Sequence, residues 1–549
     1  MIREKMRNRF GWLAEEAVTE ADGREAFNVP SERLPEAAAF LKECGYDFLV
    51  DMVGMDYGDA LGIIDYVARS EDTADVVVLK TVVADRERPV IPSVGDVWEV
   101  ALMYEREVHD YFGIRFAGNG DMRRLFLRES WNGYPLRKDY DASPEANPVP
   151  LENESLADMD TVPSVEVGPD GNERTVLRPL YGEDDYVINF GPQHPAMHGV
   201  LHLRVALDGE IVRSVDPHFG YIHRGVEKLC EGYTYPQILH LTDRLDYLSG
   251  TMNRHAFCLC CEKALQMDVP ERAVVIRTIF DELTRIASHL LGWGSMCMDM
   301  GAVTAFMYGL RDREKIMDIF EETAGGRLMA NYNVIGGVAC DLHPNFRKRV
   351  KEFIPYMRKM LREHHMLYTG NPIATGRMAG SGYLSRERAI ALGVTGPSGR
   401  ASGWANDLRR AEPYAAYGKV EFEELLRAGG MTFDRYIIRL HEIEQSLRII
   451  EQLIDNIPEG PYAEKVKGVI KLPQGDYFQR VENARGQFGV HITSRGDKTP
   501  YRVKFRSPSM VLVGALKDVA PGGKVADLIM LGNRQVNARA YVARFNFSG

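Results

Sequence analysis

Long apolar runs are absent from this sequence, and none reaches the roughly 18 to 20 residues that a helix needs to cross a bilayer. The first ten residues carry charges with no long apolar segment behind them, so a secretory signal is not expected. We therefore expect the chain to be soluble by itself, with any role at a membrane arising through partner proteins.

An excess of positive charge is also lacking. The 67 lysines and arginines are outnumbered by 78 aspartates and glutamates, which gives a formal net charge of −11. Nucleic-acid binding generally needs clustered Lys and Arg to neutralise phosphates, and an anionic membrane surface attracts the same cations. The charge balance therefore argues against both kinds of partner.

Cysteine is scarce, with seven residues in 549. An odd number scattered through helix-like sequence indicates a reducing compartment. The group Cys258, Cys260 and Cys261 suggests a metal site, but neighbouring residues on a helix point in different directions and no second pair completes four ligands. We predict buried, inert thiols.

Helix-like and strand-like stretches alternate up to about residue 140. Residues 34–44 have helical spacing and follow Ser31, a residue type that caps helices, while 62–68 and 75–80 are β-branched runs typical of strands. This pattern predicts an α+β domain over residues 1–140. Residues 141–184 are dominated by Asp, Glu, Pro, Asn and Gly, which predicts an acidic linker.

The remaining residues, 185–549, predict a second and mainly α-helical domain. Strand-like runs at its start, with Gly209 in a turn, predict a small β-hairpin. Apolar residues then recur at spacings of three and four, which is typical of a helix bundle. The helical patterns cover residues 235–267, 271–297, 312–323, 346–368 and 433–457.

Three motifs at the end of the first domain combine charged and aromatic residues. They occupy residues 104–114 (YEREVHDYFGI), 121–125 (DMRRL) and 133–140 (GYPLRKDY). This series resembles the signature of the C-type subunit of bacterial NADH:quinone oxidoreductase, the proton-pumping respiratory complex I. Two positions depart from that family, since His109 stands where Trp is usual and Asn119-Gly120 where His-Pro is usual.

Three motifs of the second domain resemble the D-type subunit of the same complex, which carries the quinone site. They occupy residues 191–198 (GPQHPAMH), 223–228 (HRGVEK) and 244–247 (RLDY), with further matches at 396–403, 407–409, 482–486 and 506–509. The resemblance implies a fusion of the two subunit types in the order C then D. It also implies that the helical domain is similar in fold to the [NiFe] hydrogenase large subunit, with small β elements at its ends.

His194 and His198 are four residues apart, a spacing that could hold a metal on a helix. The prolines beside them predict a turn instead, and no third ligand completes a zinc motif, so two structural loop histidines are the simpler interpretation. The resemblance implies a third role for His198. It matches the histidine that hydrogen-bonds one carbonyl of the quinone headgroup, which leaves His194 with a structural role.

Tyr247 lies in helix-like sequence, and periodicity alone predicts a core tyrosine with a satisfied hydroxyl. The resemblance implies that it is the second quinone ligand, opposite His198. Groups with reference pKa values of about 6.5 and 10 can donate hydrogen bonds and then protons to a quinone as it is reduced. Asp299 could be an N-cap for the next helix and, by resemblance, is the acid that keeps His198 protonated; the two roles could coexist.

A dense set of charged residues surrounds His223 and Arg224, together with Glu227 and Lys228. Their spacing is typical of a solvated ion-pair face, whereas the resemblance implies that they support the quinone site. Arg244 matches an arginine that approaches the terminal iron–sulfur cluster of the electron chain, where a cation favours the reduced cluster.

Met329 stands where the family often has a histidine that influences the potential of the terminal cluster. Methionine neither titrates nor donates a hydrogen bond. We therefore hypothesise a cluster of lower potential that reduces a low-potential quinone such as menaquinone.

The resemblance implies a subunit of a proton-translocating NADH:quinone oxidoreductase, located on the cytoplasmic side of the bacterial inner membrane through its partners. Those partners are the B-type and I-type iron–sulfur subunits, one of which holds the terminal [4Fe–4S] cluster, and the H-type membrane subunit. We predict that this chain binds no metal or cluster. Two alternatives are a membrane-bound hydrogenase large subunit, disfavoured because no cysteine follows Cys340, and a non-catalytic scaffold.

Overall fold

The computed structural model describes residues 2–13, 17–143, 145–148, 159–167, 173–192, 201–466 and 468–535. The strands are β1 (Ala17–Thr19), β2 (Glu25–Asn28), β3 (Phe48–Asp56), β4 (Leu61–Ala68), β5 (Val76–Val83), β6 (Val90–Pro92), β7 (Arg115–Ala117), β8 (Thr161–Val167), β9 (Glu173–Pro179), β10 (Tyr186–Phe190), β11 (His202–Asp208), β12 (Ile211–His218), β13 (Asn333–Val334), β14 (Gly337–Val338), β15 (Gly475–Asn483), β16 (Gly486–Ser494) and β17 (Arg502–Arg506).

The α-helices are α1 (Ile2–Arg9), α2 (Leu34–Glu43), α3 (Ala101–Phe112), α4 (Val226–Gly232), α5 (Tyr235–Thr242), α6 (Gly250–Leu265), α7 (Glu271–Asp299), α8 (Val303–Ala324), α9 (Phe346–His364), α10 (Pro372–Ala379), α11 (Arg386–Ala391), α12 (Gly396–Ala401), α13 (Leu408–Ala411), α14 (Thr432–Ile454), α15 (Pro508–Gly514), α16 (Leu516–Val519) and α17 (Val525–Gln535). The molecule is thus a mixed α/β structure with a long-helix bundle and several small sheets.

The first part of the chain is built on a five-stranded sheet of order β1-β2-β5-β4-β3. Every residue of β4 is buried, because α3 covers one face of the sheet and the second half of the chain covers the other. This two-sided burial agrees with the lack of regular apolar–polar alternation in β4 and β5. The predicted strands are confirmed, whereas the predicted cap is wrong, since Arg33 precedes α2 and Ser31 lies in a 3-10 turn.

Residues 141–184 contain strands that the sequence did not predict. β8 and β9 pair as an antiparallel hairpin between Thr161 and Pro179. Alternating β-branched residues such as Val162 and Val176 are the signal that the polar composition of the segment conceals.

The second part opens with the sheet β10-β11-β12, as predicted, and continues into the helix bundle. Three helical predictions need correction. Residues 235–267 form two helices, α5 and α6, separated by a turn; 312–323 is only the second half of α8; and α9 ends at His364 before a π-helical turn. The long helices α7 and α14 lie where the sequence predicts them.

Two hydrophobic clusters stabilise the molecule. One fills the helix bundle, where the ring of Phe280 stacks on Tyr332 at 4.2 Å and on Phe320 at 5.1 Å. The other joins residues of the N-terminal sheet to residues between 201 and 219 and between 384 and 531. This second cluster therefore joins the two halves of the chain.

The cysteines behave as predicted where they are buried. Burial raises the pKa of Cys258 and Cys260 to about 12, so both thiols stay protonated at neutral pH. Within the ranges given above, no helix is both long enough and apolar enough to span a membrane.

Candidate functional site

Tyr247 lies in the turn between α5 and α6, not in a helix as the sequence suggested. The turn separates α5, which buries one face, from the largely buried α6, and it leaves 38% of the Tyr247 side chain exposed. A core tyrosine is therefore the wrong interpretation. The phenol is available at the surface of the bundle, near Arg313 of α8, whose pKa is lowered by burial.

The turn is joined to the segment that carries Met329. The backbone N–H of Asn331 donates to Oδ2 of Asp243 at 3.0 Å, and the Arg254 guanidinium lies 3.5 Å from the same carboxylate oxygen. Burial raises the pKa of Asp243 to about 6. The positions of Met329 and Arg244, both half-buried, are thus brought to one side of the bundle.

Arg244 follows Asp243 directly, and its Nη1 donates to the carbonyl of His240 at 2.8 Å. This contact lies at the C-terminal end of α5, where a cation complements the partial negative charge of the helix. The guanidinium retains further donors for a partner.

His194 and His198 lie outside the described residues. The described residues on either side of them lie on neighbouring strands, because β10 pairs with β11 from Phe190 and Leu203 onwards. Gly191 follows β10 with a φ of +89°, and a Cβ there would lie 2.1 Å from the carbonyl oxygen of Leu201. Only glycine permits this close approach of the two segments.

Asp299 is the last residue of α7. It does not cap the following helix, since Ala302 holds the N-cap position of α8 and makes no side-chain cap. Burial raises the pKa of Asp299 to about 7. A carboxyl group with such a pKa changes its charge near neutral pH, as an acid that exchanges a proton with a neighbouring base must do.

His223 is held by aromatic residues of the N-terminal part. Its ring stacks on Tyr111 at 5.6 Å and on Phe126 at 5.7 Å, and the Tyr111 phenol oxygen lies 3.4 Å from its Nε2. Tyr111 belongs to the motif at 104–114, and Phe126 directly follows the motif at 121–125. The first set of motifs therefore forms the platform for one residue of the second set.

The charged set at 223–228 is not a solvated ion-pair face. Glu227 is buried, accepts from Arg502 at 2.8 Å and from the backbone N–H of Phe505 at 3.1 Å, and so fixes α4 to β17. Arg224 is half-buried. Lys228 donates to the carbonyl of Arg137 at 3.2 Å.

A buried charged network in the centre of the bundle was missed by the sequence reasoning. Arg400 donates to Glu482 at 2.7 Å and to Glu442 at 2.6 Å, and Glu442 also contacts Nε2 of His289 at 2.7 Å. Burial lowers the pKa of His289 to about 4. The available signal was the stripe Glu282, Arg285 and His289, whose spacing of three and four places all three on one apolar face of α7.

Across the part of the chain that the structure describes, no group of three or more His, Cys, Asp or Glu side chains could hold a metal ion. Among the described candidate residues, Tyr247, Asp299 and Arg244 carry a phenol, a carboxyl group and a guanidinium, which can donate protons or supply positive charge.

Comparison with known proteins identifies two families along the chain. A family model described as respiratory-chain NADH dehydrogenase, 30 Kd subunit, matches residues 27–146. A model described as respiratory-chain NADH dehydrogenase, 49 Kd subunit, matches residues 299–471 and 463–534.

Two relatives match nearly the whole chain, and a third matches part of it. The C/D subunit of NADH-quinone oxidoreductase from Bacteroides thetaiotaomicron is 54% identical over 517 residues, which are 92% of this chain and 97% of that protein. The protein of the same name from Bacteroides fragilis is 52% identical over 497 residues, 88% of this chain and 93% of its own. The D-type NADH-quinone oxidoreductase subunit of Desulforamulus reducens is 45% identical over 348 residues, 63% of this chain and 95% of its own.

Proposed function

The chain belongs to the fused C/D subunits of NADH-quinone oxidoreductase, and on that premise we propose that it forms the quinone headgroup site of the peripheral arm. As a member of this family it is a subunit of an oxidoreductase complex. The observation that carries the proposal is the exposed phenol of Tyr247, in the turn that leads into the largely buried helix α6.

Reduction of a quinone to a quinol adds two electrons and two protons, and negative charge develops on both carbonyl oxygens. Tyr247 donates a hydrogen bond and then a proton to one oxygen, and His198 does so to the other. Asp299 in its ionised form stabilises protonated His198 and fixes its orientation. His223 and Arg224 line the same region in a supporting role.

Electrons reach this site from a [4Fe–4S] cluster that a B-type or I-type partner subunit holds, with Arg244 facing the cluster. Quinone enters from the H-type membrane subunit, and its reduction drives proton translocation there. The complex lies on the cytoplasmic side of the bacterial inner membrane. The formal charge of −11 supports attachment through partner proteins, because an acidic chain is repelled by anionic lipid.

Met329 adapts the site to a low-potential quinone such as menaquinone. The neutral thioether supplies no positive charge to stabilise the reduced cluster, so the cluster potential is lower than with a protonated histidine.

The helical part is proposed to share its fold with [NiFe] hydrogenase large subunits. Hydrogenase chemistry itself is disfavoured, because the metals need two pairs of thiolates and no cysteine follows Cys340. A scaffold without contact to quinone is the remaining alternative.

Replacing Tyr247 by Phe in the assembled complex tests the proposal. We expect quinone reduction to fall about 100-fold or more, because one proton donor is lost. Electron transfer from NADH to a soluble artificial acceptor should stay unchanged. Tyr462→Phe is the matched control, since Tyr462 is also 38% exposed. Full quinone reductase activity in Tyr247→Phe would support the scaffold.

A further inference from the structure

The backbone on both sides of Tyr247 is fixed by one carboxylate. Oδ1 of Asp246 accepts from the backbone N–H of Leu248 at 3.0 Å, so the side chain bridges the residues that flank the tyrosine. The carbonyl of Asp246 accepts from the backbone N–H of Ser249 at 3.0 Å and from Nδ2 of Asn253 at 3.3 Å. The direction of the Tyr247 phenol therefore depends on where Asp246 is held.

Arg485 holds Asp246 from the opposite side. Its Nη1 donates to Oδ2 of Asp246 and, at 3.1 Å, to Oγ of Ser249, so a single guanidinium contacts both ends of the turn. Asp246 is fully buried and Arg485 is 3% exposed, which places the ion pair beneath the turn and out of solvent.

The hairpin between β15 and β16 gives Arg485 a rigid base. Oδ1 of Asn483 accepts from the backbone N–H of Arg485 at 3.1 Å, and Nδ2 of Asn483 donates to Asn253 of α6 at 2.8 Å. Gly396 packs against the same hairpin so closely that a Cβ there would lie 2.4 Å from the Arg485 carbonyl oxygen. The arginine is thus positioned from two directions.

We propose that Arg485 is a positioning residue for quinone reduction, which acts through Asp246 and Ser249 to aim the phenol of Tyr247. The inference rests on the proposed role of Tyr247 as a quinone donor. A misplacement of about 1 Å in a reacting group costs up to about 100-fold in rate, so loss of this contact is expected to affect turnover without removing any group that touches quinone.

The test uses the intact complex with Arg485→Lys, because lysine keeps the charge but carries it on a flexible stem that does not hold a nitrogen at the position of Nη1. We expect quinone reduction to fall about 10-fold and the quinone KM to rise, while electron transfer to a soluble artificial acceptor is retained. Arg480→Lys is the control: Arg480 is buried in the same hairpin and pairs with Glu412 at 2.7 Å. It should change quinone reduction less than about twofold.

A double-mutant cycle separates positioning from general stability. When Tyr247 is already Phe, Arg485→Lys should cause less than about a twofold further loss, because both changes remove the same interaction. The inference is overturned if the losses from the two substitutions add, or if Arg485→Lys alone leaves quinone reduction unchanged. If that variant does not assemble, Asp246→Asn takes its place with the same expectations, since it keeps the side-chain volume.

The two proposals fail differently. Normal quinone reduction in Tyr247→Phe contradicts the proposed function. Suppose instead that Tyr247→Phe slows quinone reduction, while Arg485→Lys and Asp246→Asn either leave it unchanged or add fully to that loss. This outcome contradicts only the positioning role.

Discussion

The phenol oxygen of Tyr66 in β4 lies 2.8 Å from Nδ1 of His491 in β16, across 425 positions of sequence. Burial lowers the pKa of His491 to about 4, so its ring is neutral at pH 7. Its Nε2 lies 2.9 Å from Oγ of Thr493, which in turn donates to Asp476 at 2.6 Å. Asp476 also pairs with Lys80 at 2.8 Å, so this hydrogen-bonded chain returns to the N-terminal sheet.

Tyr66→Phe removes the first contact of that chain and leaves the buried Nδ1 of His491 without its donor. We expect a loss of about 1–3 kcal/mol in the free energy of unfolding, measured by denaturant titration of the purified chain. Tyr186→Phe, at a side chain 69% exposed, should change it by less than about 0.5 kcal/mol. Equal effects of the two substitutions would show that the Tyr66 contact contributes nothing.

Asp65→Asn is expected to stabilise the chain more as the pH rises. Asp65 is fully buried, neither of its side-chain oxygens has a hydrogen-bond partner among the described residues, and burial raises its pKa well above the ordinary value. The folded state therefore retains a proton that the unfolded chain releases above about pH 4. The wild type loses stability from that pH up to the folded pKa, whereas asparagine does not.

The free energy of unfolding of Asp65→Asn should exceed that of the wild type by an amount that grows by about 1.4 kcal/mol per pH unit over that window. Denaturant titrations at pH 5, 6 and 7 measure it, with Asp59→Asn in the exposed β3–β4 turn as the control. A difference that does not vary with pH would contradict the explanation.

Asp299→Asn should remove a pH dependence from quinone reduction. Since the pKa of Asp299 is raised to about 7 by burial, its carboxylate is present above that pH and is lost below it. We expect the wild-type rate to fall as the pH drops below 7. The variant should be about 10- to 100-fold slower at pH 8 and should lack this acid limb. If Asp299→Asn leaves the fall in rate below pH 7 unchanged, that fall belongs to another group. Asp268→Asn, at an exposed side chain, is the control; if it removes the same pH dependence, the fall is likewise not due to Asp299.

Met329→His is expected to raise the potential of the partner's terminal cluster. An imidazole can take up a proton when the cluster is reduced, so the potential should also become dependent on pH, by at most about 59 mV per pH unit. A redox titration of the complex from pH 6 to 8 measures both effects. A wild-type cluster already as high in potential as in ubiquinone-using relatives would contradict the hypothesis.

The long elements could be predicted from the sequence because their apolar periodicity is strong. α7 and α14 are 29 and 23 residues long with apolar residues recurring at spacings of three and four, and β4 and β5 are rich in β-branched residues. The turn at Tyr247 could not be predicted. Asp246 and Ser249 hold it through Arg485, more than 230 residues away, and no local pattern encodes such a contact.

The buried charges were difficult for a similar reason. Glu282 and Arg285 look like an ordinary surface pair three residues apart, yet both are fully buried. Arg409 and Tyr417, from a distant part of the chain, donate to Glu282 at 3.2 and 2.7 Å, and these tertiary partners offset the cost of burial. The roles of His194 and His198 remain predictions, because their loop lies outside the described residues.

The apolar core that runs from the N-terminal sheet into residues 201–219 and 384–531 has a consequence for assembly. Where these two halves are made as separate proteins, they must find each other and lose translational and rotational freedom on docking. One polypeptide makes that encounter intramolecular and fixes the ratio of the halves at one to one. Proteolytic cleavage between residues 141 and 158 should therefore leave a nicked molecule whose fragments stay together.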